Sequence, residues 1–319
     1  MSSIRFNSLS VLVLTLLVLG TFLLPGLALA NQREPVRALP EQGSCSAPYA
    51  NEIVSENCLP GNPPGEWDIT GAGDPSIQGF TTDISVAQGA TVAFKVDTLS
   101  TNYRLDIYRM GYYGGLGARK IATVEPDVTL PQAQPACLTD AATGLIDCGN
   151  WAVSASWAVP ADAVSGIYFA KLVREDTTGA SHVFFIVRDD DGASDILFQT
   201  SDTTWQAYNE YGGNSLYVGA PANRAYKVSY NRPFNTRSVA GGQDWVFNAE
   251  YPMVRWLERN GYDVSYFTGV DSDRLGNELL EHRIFLSVGH DEYWSAAQRA
   301  NVEAARAAGV RVVSLGANL

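Results

Sequence analysis

The residues best suited to chemistry, His290, Asp291 and Glu292, are consecutive and fall between a predicted strand and the helix that follows it. They bring an imidazole and two carboxylates to a loop where core packing does not require charged groups. One carboxylate could instead serve only to complement the helix dipole, an effect of under about 1 kcal/mol. His182 falls in a predicted strand and His282 in a charged loop, so His290 is the histidine that we expect to act at a site.

A second candidate segment, 205–217, is rich in Tyr and Gly and contains Tyr208, and a third, 316–318, ends the last predicted strand. In an open parallel sheet, ligands bind outside the carboxyl ends of the strands. We therefore expect these loops to converge with His290 and Glu292. The aromatic side chains of such a loop can also simply cover a sheet edge. Phenolate, carboxylate and imidazole groups together form a hard, anionic ligand set that suits ferric iron.

The elements that would position these residues alternate between strand and helix across 189–319. Strands are predicted at 195–200, 263–268, 283–289 and 310–315, and helices at 250–260 and 295–308, the second with Ser295 as its N-cap. This alternation predicts a doubly wound parallel sheet, flavodoxin- or amidotransferase-like, with helices on both faces. The chain stops four residues after the last strand. We therefore expect this domain to be truncated. The alternative is a small domain whose exposed sheet is covered by a partner chain or by a second copy in a homo-oligomer.

A different pattern fills 66–188, where short apolar runs are separated by turn residues. Strands are predicted at 77–86, 91–96, 103–110, 151–157, 166–173 and 182–187. Six or seven strands at this spacing predict an antiparallel, immunoglobulin-like β-sandwich. The fold class expected for the whole chain is therefore mixed, with an N-terminal β-sandwich followed by an α/β domain. The acidic stretch at 189–192 marks the boundary between them.

The N-terminal segment indicates export. Arg5 precedes an uncharged apolar stretch at 11–24, and the small-x-small pattern at 28–30 is typical of a cleavage site, so 1–30 is interpreted as a signal peptide. An uncleaved anchor is the alternative, but the apolar stretch is shorter than a membrane-spanning helix requires. The protein is predicted to be secreted or periplasmic, with no stable membrane insertion.

The cysteines support an oxidising compartment. Residues 31–65 are polar and rich in Pro and Gly, which predicts an irregular leader. Cys45 lies close to Cys58, and Cys137 lies close to Cys148. An even number of cysteines in an exported chain indicates disulfides, and these neighbours are the expected pairs. A zinc site is the alternative, but the spacings are wider than those of zinc knuckles.

Charge and missing motifs exclude several classes of protein. The chain carries 22 basic and 34 acidic residues, a formal net charge of −12, which argues against binding to nucleic acid. It contains no Gly-x-Ser-x-Gly elbow, P-loop, Gly-x-Gly-x-x-Gly or His-Glu-x-x-His motif. The enzyme classes that these motifs define are therefore disfavoured.

Three ordered motifs carry a family resemblance. They are Tyr-Arg-Met-Gly-Tyr-Tyr-Gly-Gly at 108–115, Tyr208-Asn209 with Gly212-Gly213 and Ser215-Leu216-Tyr217, and Gly-His-Asp-Glu-Tyr-Trp-Ser at 289–295. Together they resemble the C-terminal region of the large (β) subunit of N,N-dimethylformamidase, from about residue 66 onward. The resemblance implies an amidohydrolase that acts on a small amide. It also implies a mononuclear Fe³⁺ held by two tyrosines and one glutamate, with a histidine and an asparagine close by.

The resemblance also implies which residues hold the metal. The glutamate falls on Glu292 and one tyrosine falls on Tyr208. For the second tyrosine, spacing favours Tyr168 over Tyr211 or Tyr217. A ligand at Tyr168 would place the metal at the interface between the two predicted domains, where ligand sites are common.

The catalytic roles implied by the resemblance fall on three residues. His290 or Asp291 would orient the attacking water or move its proton, and Asn318 would donate a hydrogen bond to the developing oxyanion. The ferric ion would polarise the amide carbonyl or lower the pKa of a bound water.

A non-catalytic function is the alternative that the sequence leaves open. In that interpretation the β-sandwich binds a surface glycan through exposed aromatic side chains, and the α/β domain is a degenerate remnant. Tyr108, Tyr112 and Tyr113 are the candidate aromatic residues, although packing within a turn would also explain them.

Overall fold

The computed structural model describes residues 45–234 and 246–316, all of which belong to one compact unit. The predicted signal peptide at 1–30, the first part of the predicted leader and Asn318 lie outside the described residues.

Short strands predominate over helices in the described residues. The strands are β1 (Ile77–Thr81), β2 (Ser85–Ala87), β3 (Thr91–Thr98), β4 (Tyr103–Met110), β5 (Ala118–Val124), β6 (Leu138–Asp140), β7 (Leu145–Asp147), β8 (Ala155–Ala158), β9 (Gly166–Arg174), β10 (Ala180–Arg188), β11 (Ile196–Gln199), β12 (Val264–Phe267), β13 (Ile284–Val288) and β14 (Arg311–Leu315). The helices are α1 (Glu52–Asn57), α2 (Pro64–Trp67), α3 (Asp202–Tyr208), α4 (Glu250–Arg259), α5 (Gly269–Arg274) and α6 (Ala296–Ala307).

Two sheets form the first half of the fold. One has the strand order β1-β3-β8 and the other β2-β10-β9-β4-β5, and every pairing in them is antiparallel except that of β2 with β10. Strand β3 shows why these residues form a sheet, because Val92, Phe94 and Val96 alternate with less buried residues and point into the core. Phe94 meets Phe185 of the second sheet at 5.8 Å between ring centroids. The β-rich character is confirmed, and the immunoglobulin-like shape stays a prediction.

The sequence-based strand predictions differ from the structure at several places in this half, and the strand predicted at 151–157 begins only at Ala155. The run at 77–86 is not one strand, because the chain bends after β1 and β2 joins the other sheet. Strand β5 and the β6–β7 hairpin were not predicted. Arg119 and Lys120 interrupt the apolar alternation of β5, since they pair with Glu56 and Asp106 instead of the core.

A four-stranded sheet with the order β12-β11-β13-β14 forms the second half, and all of its pairings are parallel. The four predicted strands and both predicted helices are present. Ser295 is the N-cap of α6, as predicted, and its Oγ accepts from the Gln298 backbone N–H at 3.0 Å. Helices α3 and α5 were not predicted. Helices on both faces of the sheet stay a prediction.

The strand order creates a topological switch point beside β11. The chain passes from β11 to β12 on one side and later returns to β13 on the other. In open parallel sheets, ligands bind outside the carboxyl ends of the strands at such a point. Here β11 leads into α3 and β13 leads into 289–295, so the fold brings two of the three candidate segments to one crevice.

Both predicted disulfides form, Cys45–Cys58 and Cys137–Cys148. The described part of the predicted leader is less irregular than expected, since it contains α1, which Asn51 caps, and α2. Among the described residues no helix is long and apolar enough to cross a membrane.

Candidate metal centre

Five side chains converge at the switch point and form what we call the tyrosine–glutamate cluster: Tyr208, Tyr217, His290, Glu292 and Tyr293. The hydroxyls of Tyr208 and Tyr217 each donate to Glu292 Oε2 at 3.0 Å. His290 Nε2 lies 3.5 Å from the same oxygen, and the hydroxyls of Tyr217 and Tyr293 are 2.5 Å apart. Two phenols and an imidazole therefore face one carboxylate oxygen.

Helix α3 and the loop after β13 hold this arrangement through two hydrogen bonds. Thr204 Oγ1 accepts from the Glu292 backbone N–H at 3.0 Å, and Thr203 Oγ1 donates to the Tyr293 carbonyl at 2.6 Å. Gly289 begins the loop with a φ of 83°, where a Cβ would lie 2.7 Å from the Ala249 Cβ. Only glycine fits this turn without strain or a clash.

Arg232 holds the loop that carries Tyr217. The residue is 1% exposed, and its guanidinium donates to five backbone carbonyls, those of Gln206, Asn209, Tyr211, Asn214 and Ser229. Two of these carbonyls lie at the end of α3, where a cation also complements the helix dipole. Arg232 thus fixes the backbone on both sides of the turn between the two tyrosines.

The disulfide-linked β6–β7 hairpin supports the same loop from the sandwich side. The Cys148 N–H donates to the Asn231 carbonyl at 2.6 Å, and the Tyr226 N–H donates to the Thr143 carbonyl at 2.7 Å. The Asn214 side chain donates to the Gly144 carbonyl at 2.7 Å. The hairpin therefore contributes to the geometry of a site whose residues lie outside the sandwich.

Burial raises the pKa of the Tyr217 and Tyr293 phenols above the usual value. Both are therefore protonated at neutral pH in the absence of a cation. A multivalent cation reverses this preference, because it stabilises the phenolate directly.

Asp291 does not join the cluster. Its carboxylate is fully buried and accepts from Gln199 Nε2 and Ser287 Oγ, both at 2.7 Å, so it points toward β11 and β13. Burial raises its pKa to about 6. These contacts connect the loop to the two central strands, and the catalytic role of Asp291 stays a prediction.

The structure does not bring Tyr168 to the cluster. Its side chain lies in the sandwich core, 5.9 Å from the Phe185 ring, and its hydroxyl donates to the Val164 carbonyl at 2.7 Å. Tyr217 occupies the position beside Glu292 that the resemblance gave to Tyr168. Asn318 lies outside the described residues.

The aromatic residues proposed for glycan binding are not an exposed surface. Tyr108 and Tyr113 are buried, the first stacked on Phe169 and the second donating to Glu56 Oε1 at 2.7 Å. Tyr112 is partly covered by Arg259. That interpretation of the motif at 108–115 is wrong, because the motif packs the sandwich against α1 and α4.

Sequence reasoning did not predict two buried carboxylates near the site. They are Asp202 at the start of α3 and Glu250 at the start of α4. An acidic residue in the first turn of a helix is usually explained by its interaction with the helix dipole, so neither residue stood out as part of a site. Burial raises the pKa of each to about 7.

Glu250 is expected to make the stability depend on pH. Its Oε1 accepts from the Ser201 N–H at 3.1 Å and from Trp205 Nε1 at 3.0 Å. Because its pKa is raised from 4.5 to about 7 on folding, the folded state binds this proton more tightly than the unfolded chain. Its contribution to the free energy of unfolding therefore falls as the pH rises through this interval.

Glu250→Gln keeps the acceptor and removes the charge. We expect the variant to match the wild type in urea unfolding near pH 4 and to be more stable than it near pH 8. Glu303→Gln, on the exposed face of α6, serves as the control. Equal changes with pH in the wild type and in Glu250→Gln would contradict the assignment.

No group of three or more His, Cys, Asp or Glu side chains in the described part of the chain is placed to hold a metal ion. The candidate centre has a different composition, since phenol oxygens supply part of its donor set.

The fold and this site define a class of protein: a β-sandwich joined to a parallel sheet whose switch point carries a tyrosine–glutamate cluster. The chain belongs to the N,N-dimethylformamidase beta subunit-like family, whose C-terminal model matches residues 104–319. None of the curated proteins compared with the chain matches it.

Among solved structures, a cellulose-active LPMO (CelS2) in complex with copper is 20% identical, with a TM-score of 0.21. The similarity covers 33% of this chain and 52% of that one, so the chain spans about half the length of that protein. A likeness of this extent carries no conclusion about function.

Proposed function

We propose that this protein is an extracytoplasmic, iron-dependent amidohydrolase that cleaves the C–N bond of a small amide. In this proposal Tyr208, Tyr217 and Glu292 hold a mononuclear ferric ion, with His290 beside them. The observation that carries the proposal is the convergence of two phenols and one imidazole on Glu292 Oε2. Tyr217 takes the place that the sequence gave to Tyr168.

The donor set fits ferric iron. Hard, anionic oxygen ligands are preferred by highly charged cations, and a carboxylate with two phenols offers three of them. The phenol protons now point at Glu292, so a cation that displaced them would leave three oxygens turned toward one another. The stacking of Tyr208 on Tyr217, with 4.1 Å between ring centroids, keeps the two phenols on one side of the carboxylate.

The chain's own residues can carry the proton transfers of amide hydrolysis. A ferric ion held there supplies a Lewis acid that polarises the carbonyl and acidifies a water. His290 takes the proton as the water oxygen attacks the carbonyl carbon and the new C–O bond forms. It then gives this proton to the nitrogen as the C–N bond breaks, releasing a carboxylic acid and an amine. Asp291 positions the loop, and Asn318 stays the proposed donor to the oxyanion.

The predicted export of the protein is consistent with ferric iron and with disulfides. Two disulfides form in the structure, and disulfides persist in oxidising compartments, where iron is also ferric. The predicted signal peptide places the protein in the same kind of compartment.

The two tyrosine assignments can be separated with a matched pair of variants. We expect Tyr217→Phe to lower the ferric affinity at least about tenfold and to weaken the tyrosinate colour, because it removes an oxygen ligand. Tyr168→Phe is expected to keep both, since its hydroxyl faces the Val164 carbonyl. Metal content and the visible spectrum of the ferric-loaded variants are the measurements. Loss of colour in Tyr168→Phe with retention in Tyr217→Phe would overturn the proposed ligand set.

A further inference from the structure

Tyr293 contacts the proposed ligand Tyr217 but is not itself one of the three proposed ligands. Its hydroxyl lies 2.5 Å from the Tyr217 hydroxyl, and the two rings meet edge to face with 6.4 Å between centroids. Its backbone carbonyl accepts from Thr203 Oγ1 at 2.6 Å. The residue is thus held from α3 and directed at one particular ligand.

The direction of this hydrogen bond follows from the neighbouring one. A carboxylate only accepts, so Tyr217 must use its single O–H to donate to Glu292 Oε2. The Tyr217 oxygen is then the acceptor for Tyr293, and the hydrogen bonds run from Tyr293 through Tyr217 to Glu292. When a bound cation displaces the Tyr217 proton, the Tyr293 O–H still points at the Tyr217 oxygen.

The distance suits a charged acceptor. Hydrogen bonds from a hydroxyl to an anionic oxygen are typically 2.5–2.7 Å long, shorter than those between neutral hydroxyls. A spacing of 2.5 Å therefore fits a phenolate at Tyr217 without any movement of Tyr293. Residues that hydrogen-bond a metal ligand in this way fix its orientation and tune its basicity.

We infer that Tyr293 is a positioning residue that donates a hydrogen bond to the Tyr217 phenolate oxygen and so sets the electron-donating strength of that ligand. This inference rests on the proposed function. The hydrogen bond withdraws electron density from the phenolate and lowers the energy of its donor orbital. Its removal therefore makes charge transfer from Tyr217 to ferric iron easier.

The test is the visible spectrum of the ferric-loaded protein. Tyr293→Phe is expected to bind the same amount of iron as the wild type while its charge-transfer band moves to longer wavelength. Tyr262→Phe, a tyrosine stacked on Trp256 of α4 and far along the chain from the cluster, is the control and should leave the band in place. Circular dichroism of each variant is the check that it is folded.

A second variant guards against a misfolded Tyr293→Phe. Thr203→Val keeps the Tyr293 phenol but removes the bond to its carbonyl, and we expect a smaller shift in the same direction. An unchanged band in both variants overturns the inference while leaving the proposed function intact. Loss of iron from folded Tyr293→Phe also overturns it, because Tyr293 would then be a ligand. A wild-type protein that takes up no ferric iron overturns both.

Discussion

Arg109→Met is expected to lower the free energy of unfolding by about 3–5 kcal/mol, because it leaves a buried carboxylate without its partner. Arg109 and Glu258 are both fully buried and form a bidentate pair, with Nη1–Oε2 at 3.0 Å and Nη2–Oε1 at 2.9 Å. The Tyr266 hydroxyl also donates to Glu258 Oε1 at 2.8 Å. The pair joins β4 of the sandwich to α4, the helix that precedes β12 of the parallel sheet.

The control for this prediction lies on the same strand. Arg104→Met removes a partly exposed arginine that pairs with Asp106 and Glu175, and we expect it to cost about 1 kcal/mol or less. Urea unfolding followed by circular dichroism measures both. In the double variant Arg109→Met with Glu258→Leu, part of the loss should be recovered, since no unpaired charge remains. Equal stabilities of the two single variants would contradict the role given to Arg109.

Arg232→Met is expected to reduce the ferric affinity by about 10–100-fold, although the hydrogen bonds described for Arg232 go to backbone carbonyls and not to the cluster side chains. Its guanidinium donates to three carbonyls between Tyr208 and Tyr217 and to the Gln206 carbonyl in α3, and burial lowers its pKa to about 10. Methionine supplies no donor, so these carbonyls would turn toward water and take Tyr217 with them.

Ferric titration of the variant measures this effect, and near-ultraviolet circular dichroism follows the aromatic loop. Arg232→Lys should fail as well, because an ammonium cannot reproduce the planar fork of donors. Lys227→Met changes an exposed cation between Tyr217 and Arg232 in the chain and should bind iron as the wild type does. If Arg232→Met and Lys227→Met bind iron equally well, the loop does not depend on Arg232.

The parallel sheet was predictable from sequence because its signals are local. Segments of six or seven residues rich in apolar side chains marked β11 to β14, and Ser295 before a run of helix formers marked α6. The rule that ligands bind at the carboxyl ends of such strands then predicted that His290 and Glu292 lie together with Tyr208 at one edge, as they do in the structure. Tyr208 was found for the same reason, since it follows β11.

The roles of Tyr217 and Arg109 could not be predicted, because they depend on contacts with residues far away in the chain. Tyr217 reaches Glu292 because Arg232 and a hairpin about seventy residues earlier in the chain fold its loop, and nothing within the segment encodes either contact. From the sequence, Tyr168 was as plausible a ligand as Tyr217. Strand β9 is buried along most of its length, so its sequence lacks the apolar–polar alternation that would have marked Tyr168 as a core residue. Arg109 pairs with Glu258, 149 positions away, so its motif gave no sign of burial.

The most direct measurement of the central claim is the iron content and visible spectrum of the purified protein after reconstitution with ferric iron, compared with Glu292→Gln. We predict one iron per chain and a tyrosinate charge-transfer colour in the wild type, and loss of both in the folded variant, because Glu292 Oε2 is the atom on which the cluster converges. A colourless wild-type protein without iron, or a Glu292→Gln protein that keeps iron and colour, would contradict the account.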